Sequence, residues 1–129
     1  MKKIMIVDDN YLSAEGIEKN IDWETLNAEI IHVCYNGTSA IEAMKKEPAD
    51  LIISDIEMPD LDGISMSRQA LEINPMVKII LISAYDKFEY ARRALLLGAL
   101  DYIEKPLDYA YLTVSYTHLR AHETDSYLV

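Results

Sequence analysis

The chain has 129 residues, half of them hydrophobic, which is enough for one domain with a proper core and leaves no room for a second. Twelve basic against twenty-two acidic residues give a net charge of −10, which disfavours binding to nucleic acid or an anionic membrane through this chain alone. Cys34 is the only cysteine, so no intrachain disulfide is possible and a reducing cytoplasm fits.

The N-terminal MKKIMIV starts like a signal peptide, but its apolar run stops at Asp8, too early for an export segment. No stretch approaches a membrane span. Runs rich in Ile, Val and Leu predict buried strands at Lys3 to Val7, Glu29 to Cys34, Asp50 to Ser54, Val77 to Ile82 and Asp101 to Glu104. Helical spacing occupies Tyr11 to Asn20, Thr38 to Lys46, Ile64 to Ile73 and Lys87 to Leu97. This alternation predicts an α/β fold, a doubly wound parallel sheet covered on both faces. Breakers fall between the elements: Gly37, Pro48, Pro59, Gly63 and Pro75, with Gly98 placed to end the fourth helix.

Four charged residues directly follow apolar runs: Asp8 and Asp9 after KIMIV, Asp55 after LIIS, and Lys105 after DYIE. The carboxyl ends of parallel strands open on one edge of such a sheet, so these residues converge there. Gathered carboxylates repel by roughly 4 kcal/mol per close pair at an effective dielectric of 20, and so call for a cation. All-oxygen ligands select a hard ion, most plausibly Mg²⁺. Taken singly, an Asp pair reads as a solvated loop capping a helix, and MPDLDG as an acidic turn. Ser83 alone could cap a helix, and Tyr102 could be a half-buried strand aromatic with no further role. It is the joint register of IVDDN, LIISDIEMPDLDG, ILISAYD and DYIEKP that outweighs those readings.

In that order these strings resemble a response-regulator receiver domain of two-component systems, from Met1 to about Tyr109. The resemblance implies a flavodoxin-like five-stranded sheet in the order 2-1-3-4-5. It implies Asp55 as phosphoacceptor, Asp9 as a direct Mg²⁺ ligand, Asp8 as a ligand through water, and the Glu57 carbonyl as a further ligand. Lys105 would pair with the Asp55 carboxylate before reaction and with a phosphoryl oxygen after it, Ser83 would bond another phosphoryl oxygen, and Tyr102 would turn inward with Ser83. Glu57 and Tyr85 stand where receivers vary the lifetime of the phosphate, and the bond to Pro106 is expected to be cis. The implied partner is a sensor histidine kinase, and the domain would promote its own phosphorylation and dephosphorylation rather than turn over a separate substrate. Phosphorylation is expected to permit a homodimer.

NIDWETL and ISAYDKFEYARRALLLGALDYIEKPLD further resemble receivers joined to AraC-type helix-turn-helix output domains, which regulate transcription. Contact with DNA would then need an output domain absent from this chain. An aspartate-nucleophile phosphatase is disfavoured because Glu57, not Asp, stands two residues after Asp55. A nucleotide or flavin carrier is disfavoured because DDNYLS lacks a glycine-rich or hydroxyl-rich phosphate cradle. A phosphorylation-independent module would leave the complete set of reacting groups unused.

Receivers close with an amphipathic fifth helix, whereas after Leu112 this chain runs TVSYTHLRAHETDSYLV, rich in β-branched and hydroxyl residues that weaken helix propensity. Residues 1–113 are therefore expected to form the receiver. Residues 114–129 form an atypical tail, which from Val114 resembles a translated sequencing adapter and leaves the closing helix altered. The alternative is a makeshift helix whose aromatics cover the sheet. His118 and His122, four apart with Glu123 adjacent, are a weak zinc candidate.

Overall fold

A computed structural model describes the backbone of residues 1–85 and 87–128, and side chains among these as far as His118. The elements are β1 (Lys2–Val7), α1 (Tyr11–Asn20), β2 (Ala28–Cys34), α2 (Gly37–Lys46), β3 (Leu51–Asp55), α3 (Gly63–Ile73), β4 (Lys78–Ser83), α4 (Phe88–Leu97), β5 (Asp101–Glu104) and α5 (Tyr109–Leu128). All strand pairs are parallel, in the order β2-β1-β3-β4-β5. Both β3 and β4 extend one residue beyond their predicted ends, which makes Asp55 and Ser83 the last residues of their strands.

Alternating strand residues sort into two cores. Met5, Val7, Ile52, Ile79 and Leu81 meet buried residues of α2, α3 and α4 on one face. Ile4, Ile6, Leu51, Ile53, Ile80 and Ile82 meet α1 and α5 on the other. β3 is buried at every position, as a central strand with both faces covered must be.

The helices begin where their sequences allow. Asn10 caps α1, accepting hydrogen bonds from the main-chain N–H groups of Leu12 and Ser13, and Asp62 caps α3 in the same way through Ile64 and Ser65. The cap of α1 is thus Asn10 rather than either preceding aspartate, and Ser83 caps no helix, since α4 starts after Lys87. Gly98 ends α4 with φ 87°, in the left-handed region that glycine enters freely.

The expected weakness of the closing segment is overcome by tertiary burial. α5 runs without a break through Val114, with Leu112 and Tyr116 buried in the core beneath it. Trp23 meets Tyr116 edge-on, with ring centroids 5.6 Å apart. Thr113 and Thr117 donate their hydroxyls to the carbonyls of Tyr109 and Thr113 four residues back, and the Ser115 hydroxyl donates to Asp101 at 2.7 Å. Hydroxyl groups that disfavour a helix in isolation are satisfied within this one. No helix among the described residues is long and apolar enough to cross a membrane.

Candidate functional site

The chain leaves β1 toward β2 on one side and takes up β3 on the other, so the crevice at the strand ends opens between β1 and β3. Asp8 and Asp9 follow β1, Asp55 ends β3, and Lys105 follows β5. Ligand atoms of Asp8, Asp9 and Asp55 all lie within 4.8 Å of one another. Asp9 is exposed, whereas Asp8 and Asp55 are only 1% and 6% exposed.

Lys105 faces this cluster, its Nζ 3.1 Å from Asp8 Oδ2 and 3.7 Å from Asp55 Oδ2. The shorter contact is with Asp8, a pairing that spacing along the chain could not reveal. The other Asp8 oxygen accepts the Asn10 N–H at 2.9 Å, so Asp8 is held from both sides. The Lys105–Pro106 peptide is cis.

Asp55 Oδ1 is buried and has no hydrogen-bond partner. Such an orphaned oxygen is costly unless something meets it. Burial, then the charge of Asp8, pushes the Asp55 carboxyl up to about 7; Lys105 pulls it down, while Asp9 and Glu57 add to the rise. Burial draws Lys105 downward, but Asp55, Asp8 and Asp9 outweigh it, so the ammonium is held above its ordinary value. Carboxylates at this spacing, with a buried oxygen unmet, fit a hard divalent cation.

A close approach fixes Asp55 from below. A Cβ on Gly63 would lie 2.1 Å from the Asp55 carbonyl oxygen, and the Gly63 N–H donates to the Ile56 carbonyl at 2.8 Å. Only a residue without a side chain lets α3 start directly against the end of β3. Asp60 ties the same loop to α2, accepting from the Thr38 hydroxyl at 2.6 Å and from the main-chain N–H of Thr38 at 3.2 Å. The Thr38 hydroxyl, ahead of the backbone donors, holds the Asp60 carboxyl down at about 2.

Ser83 is fully buried at the end of β4, and its Oγ lies 2.7 Å from Glu57 Oε1. Tyr102, on β5, donates its hydroxyl to the Tyr85 carbonyl at 2.9 Å. The link between Ser83 and Glu57 lay outside the sequence reading, because the residues are 26 apart and belong to neighbouring strand ends. His122 and Glu123 lie outside the residues whose side chains are described.

The fold and this edge define a class: open α/β domains that gather carboxylates opposite a lysine at the topological switch point. Comparison narrows the class. The sequence pattern of the response regulator receiver domain matches residues 4–116, and the chain belongs to that family, as a receiver domain of a two-component response regulator. It is 33% identical over 106 residues to the uncharacterized transcriptional regulatory protein YesN of Bacillus subtilis, covering 82% of this chain and 29% of that protein. It is 31% identical over 114 residues to the transcriptional regulatory protein HptR of Staphylococcus aureus, covering 88% of this chain and 44% of HptR. The chain therefore spans less than half the length of these curated relatives. Among solved structures, the receiver domain of AraT, a response regulator from Geobacillus stearothermophilus, superposes with a TM-score of 0.89 at 31% identity, covering 97% of both chains. A two component transcriptional regulator AraC from Clostridium phytofermentans aligns with a TM-score of 0.78, also at 31% identity, over 97% of this chain and 99% of that one.

Proposed function

We propose that Asp55 accepts a phosphoryl group from the phosphohistidine of a sensor histidine kinase. The observation that carries this is the buried, unpartnered Asp55 Oδ1 at the switch point, inside the carboxylate cluster and opposite Lys105. Ionised Asp55 attacks phosphorus, an O–P bond forms, and the P–N bond breaks with its electron pair and a proton going to the departing imidazole. Lys105, 3.7 Å from Asp55 Oδ2, would neutralise charge developing on the transferring oxygens. The carboxylates of Asp8, Asp9 and Asp55, with the Glu57 carbonyl, would hold Mg²⁺, which when bound supplies further neutralisation at the same oxygens.

Ser83 would then meet a phosphoryl oxygen, and Tyr102 would follow it inward, altering the face of α4 and β5. We assign the output to transcription, through a DNA-binding domain on a longer polypeptide or a separate partner, since YesN and HptR are transcriptional regulatory proteins longer than this chain. The phosphorylated domain would pair with a second copy, in the cytoplasm where the kinase domain works. The domain thus catalyses only its own modification and its reversal.

Incubation with acetyl phosphate and Mg²⁺, followed by intact mass, tests the chemistry. A single phosphoryl adduct of about 80 Da that requires both the metal and Asp55 is expected, and Asp55→Asn abolishes it. An adduct that persists in Asp55→Asn, or none on well-folded protein, refutes the assignment.

A further inference from the structure

Asp60 bonds away from the loop that carries it. From the connection between β3 and α3 it reaches the start of α2, where the Thr38 hydroxyl donates to Oδ2 at 2.6 Å, the Thr38 N–H to the same oxygen at 3.2 Å, and the Gly37 N–H to Oδ1 at 3.4 Å. The helix has a cap of its own: Asn36 Oδ1 accepts the Ser39 N–H at 2.8 Å, and exposed Thr38 would find water for its N–H. What the Asp60 carboxylate adds is therefore a hold on the loop.

The other anchors of this loop are apolar. Ile56 and Met58, on either side of Glu57, are 1% and 7% exposed, and Leu61 lies so near α2 that a Cβ on Gly37 would come within 2.4 Å of its carbonyl oxygen. Burial fixes how deep such residues sit but has little direction. A short bond from a hydroxyl to a carboxylate sets an orientation as well. Thr38 and Asp60 supply that orientation across two elements. Neither belongs to the carboxylate cluster, and the main chain between Asp55 and Asp60 includes the Glu57 carbonyl.

We infer that Thr38 and Asp60 are positioning residues for the metal site beside Asp55, acting through the main chain at Glu57. The inference deepens the proposed function and rests on its assignment of the Glu57 carbonyl as a Mg²⁺ ligand. Mg²⁺ demands near-ideal octahedral geometry, so a carbonyl fixed before the ion arrives binds it at less ordering cost than one on a loop free to turn. α2 thus enters the chemistry at Asp55 without placing a side chain in the carboxylate cluster.

The test measures Mg²⁺ dissociation constants by isothermal titration calorimetry on the whole chain, at a temperature where circular dichroism shows every variant folded. Thr38→Val removes the hydroxyl, keeps the shape and changes no charge. It should weaken Mg²⁺ binding about 3- to 10-fold, the worth of one hydrogen bond. Thr38→Ser, which retains a hydroxyl, should bind as the parent does, and in an Asp60→Ala background Thr38→Val should change nothing further. With acetyl phosphate, the Thr38→Val loss should appear in the Mg²⁺ concentration that gives half the rate of adduct formation and not in the rate at saturating metal. A Thr38→Val protein that melts lower yet binds Mg²⁺ as the parent does has lost only a staple and overturns the inference, as does an equal loss in the Asp60→Ala background. A parent that takes up no Mg²⁺ removes the metal assignment and this inference with it. A parent that binds Mg²⁺ but forms no adduct at Asp55 removes the phosphoacceptor assignment alone.

Discussion

Asp55 carries the electrostatic conflict of the molecule. Folding buries it beside Asp8 and raises its carboxyl from 3.8 to about 7. Between those values the unfolded chain has released the proton while the folded chain keeps it, so without metal stability falls as pH rises through that window and levels above it. Asp55→Asn removes the conflict. In EDTA at pH 8 the variant should melt several degrees above the parent, a gain of the order of a few kcal/mol, and the gap should close toward pH 4. A gap that widens toward acid would contradict the assignment. At this scale the sequence named Asp8, Asp9, Asp55 and Lys105 because each directly follows an apolar run. It did not pair Lys105 with Asp8 or Ser83 with Glu57, since such contacts depend on side-chain direction across strand ends.

Propensity and packing disagree in α5. Tyr109 to Leu128 is helical although its β-branched and hydroxyl residues argue against it, because Leu112 and Tyr116 plug the core over α1 while Thr113 and Thr117 bond back along the helix. The cost of truncation should follow that division. Leu112→Ala should lose about 2 to 5 kcal/mol in urea unfolding, whereas Val114→Ala, at a position 63% exposed, should change stability by under about 0.5 kcal/mol. Equal effects at the two positions would mean that α5 is not docked as described. The other elements were legible to within a residue or two, because β1, β3 and β4 are continuous apolar runs and Asn10, Asn36 and Asp62 cap helices that begin where their periodicity begins.

The molecule as a whole is a negatively charged shell, net −10, around a sheet whose charged edge gathers three carboxylates and one lysine. A cation that binds the folded edge alone must stabilise the whole domain, by about 3 kcal/mol at one hundred times its dissociation constant. Titrating Mg²⁺ into metal-free protein should therefore raise Tm progressively, and Asp9→Asn, which alters the exposed carboxylate of the cluster and spares the core, should remove most of that rise. A Tm indifferent to Mg²⁺ at neutral pH would disconnect the carboxylate cluster from metal binding.

Apolar runs alternating with helical periodicity determined that the chain winds a parallel sheet, and charges placed at the run ends determined which residues share its edge. Those are local properties, set by side-chain periodicity and by where each run stops. The sequence left open whether the segment after Leu112 would close the fold and which groups, beyond the Asp55 expected beside Lys105, would hold Lys105 and Ser83. Tertiary structure decided both, because burial of Tyr116 against Trp23 and hydrogen bonds across the strand ends arise only when distant segments are brought together.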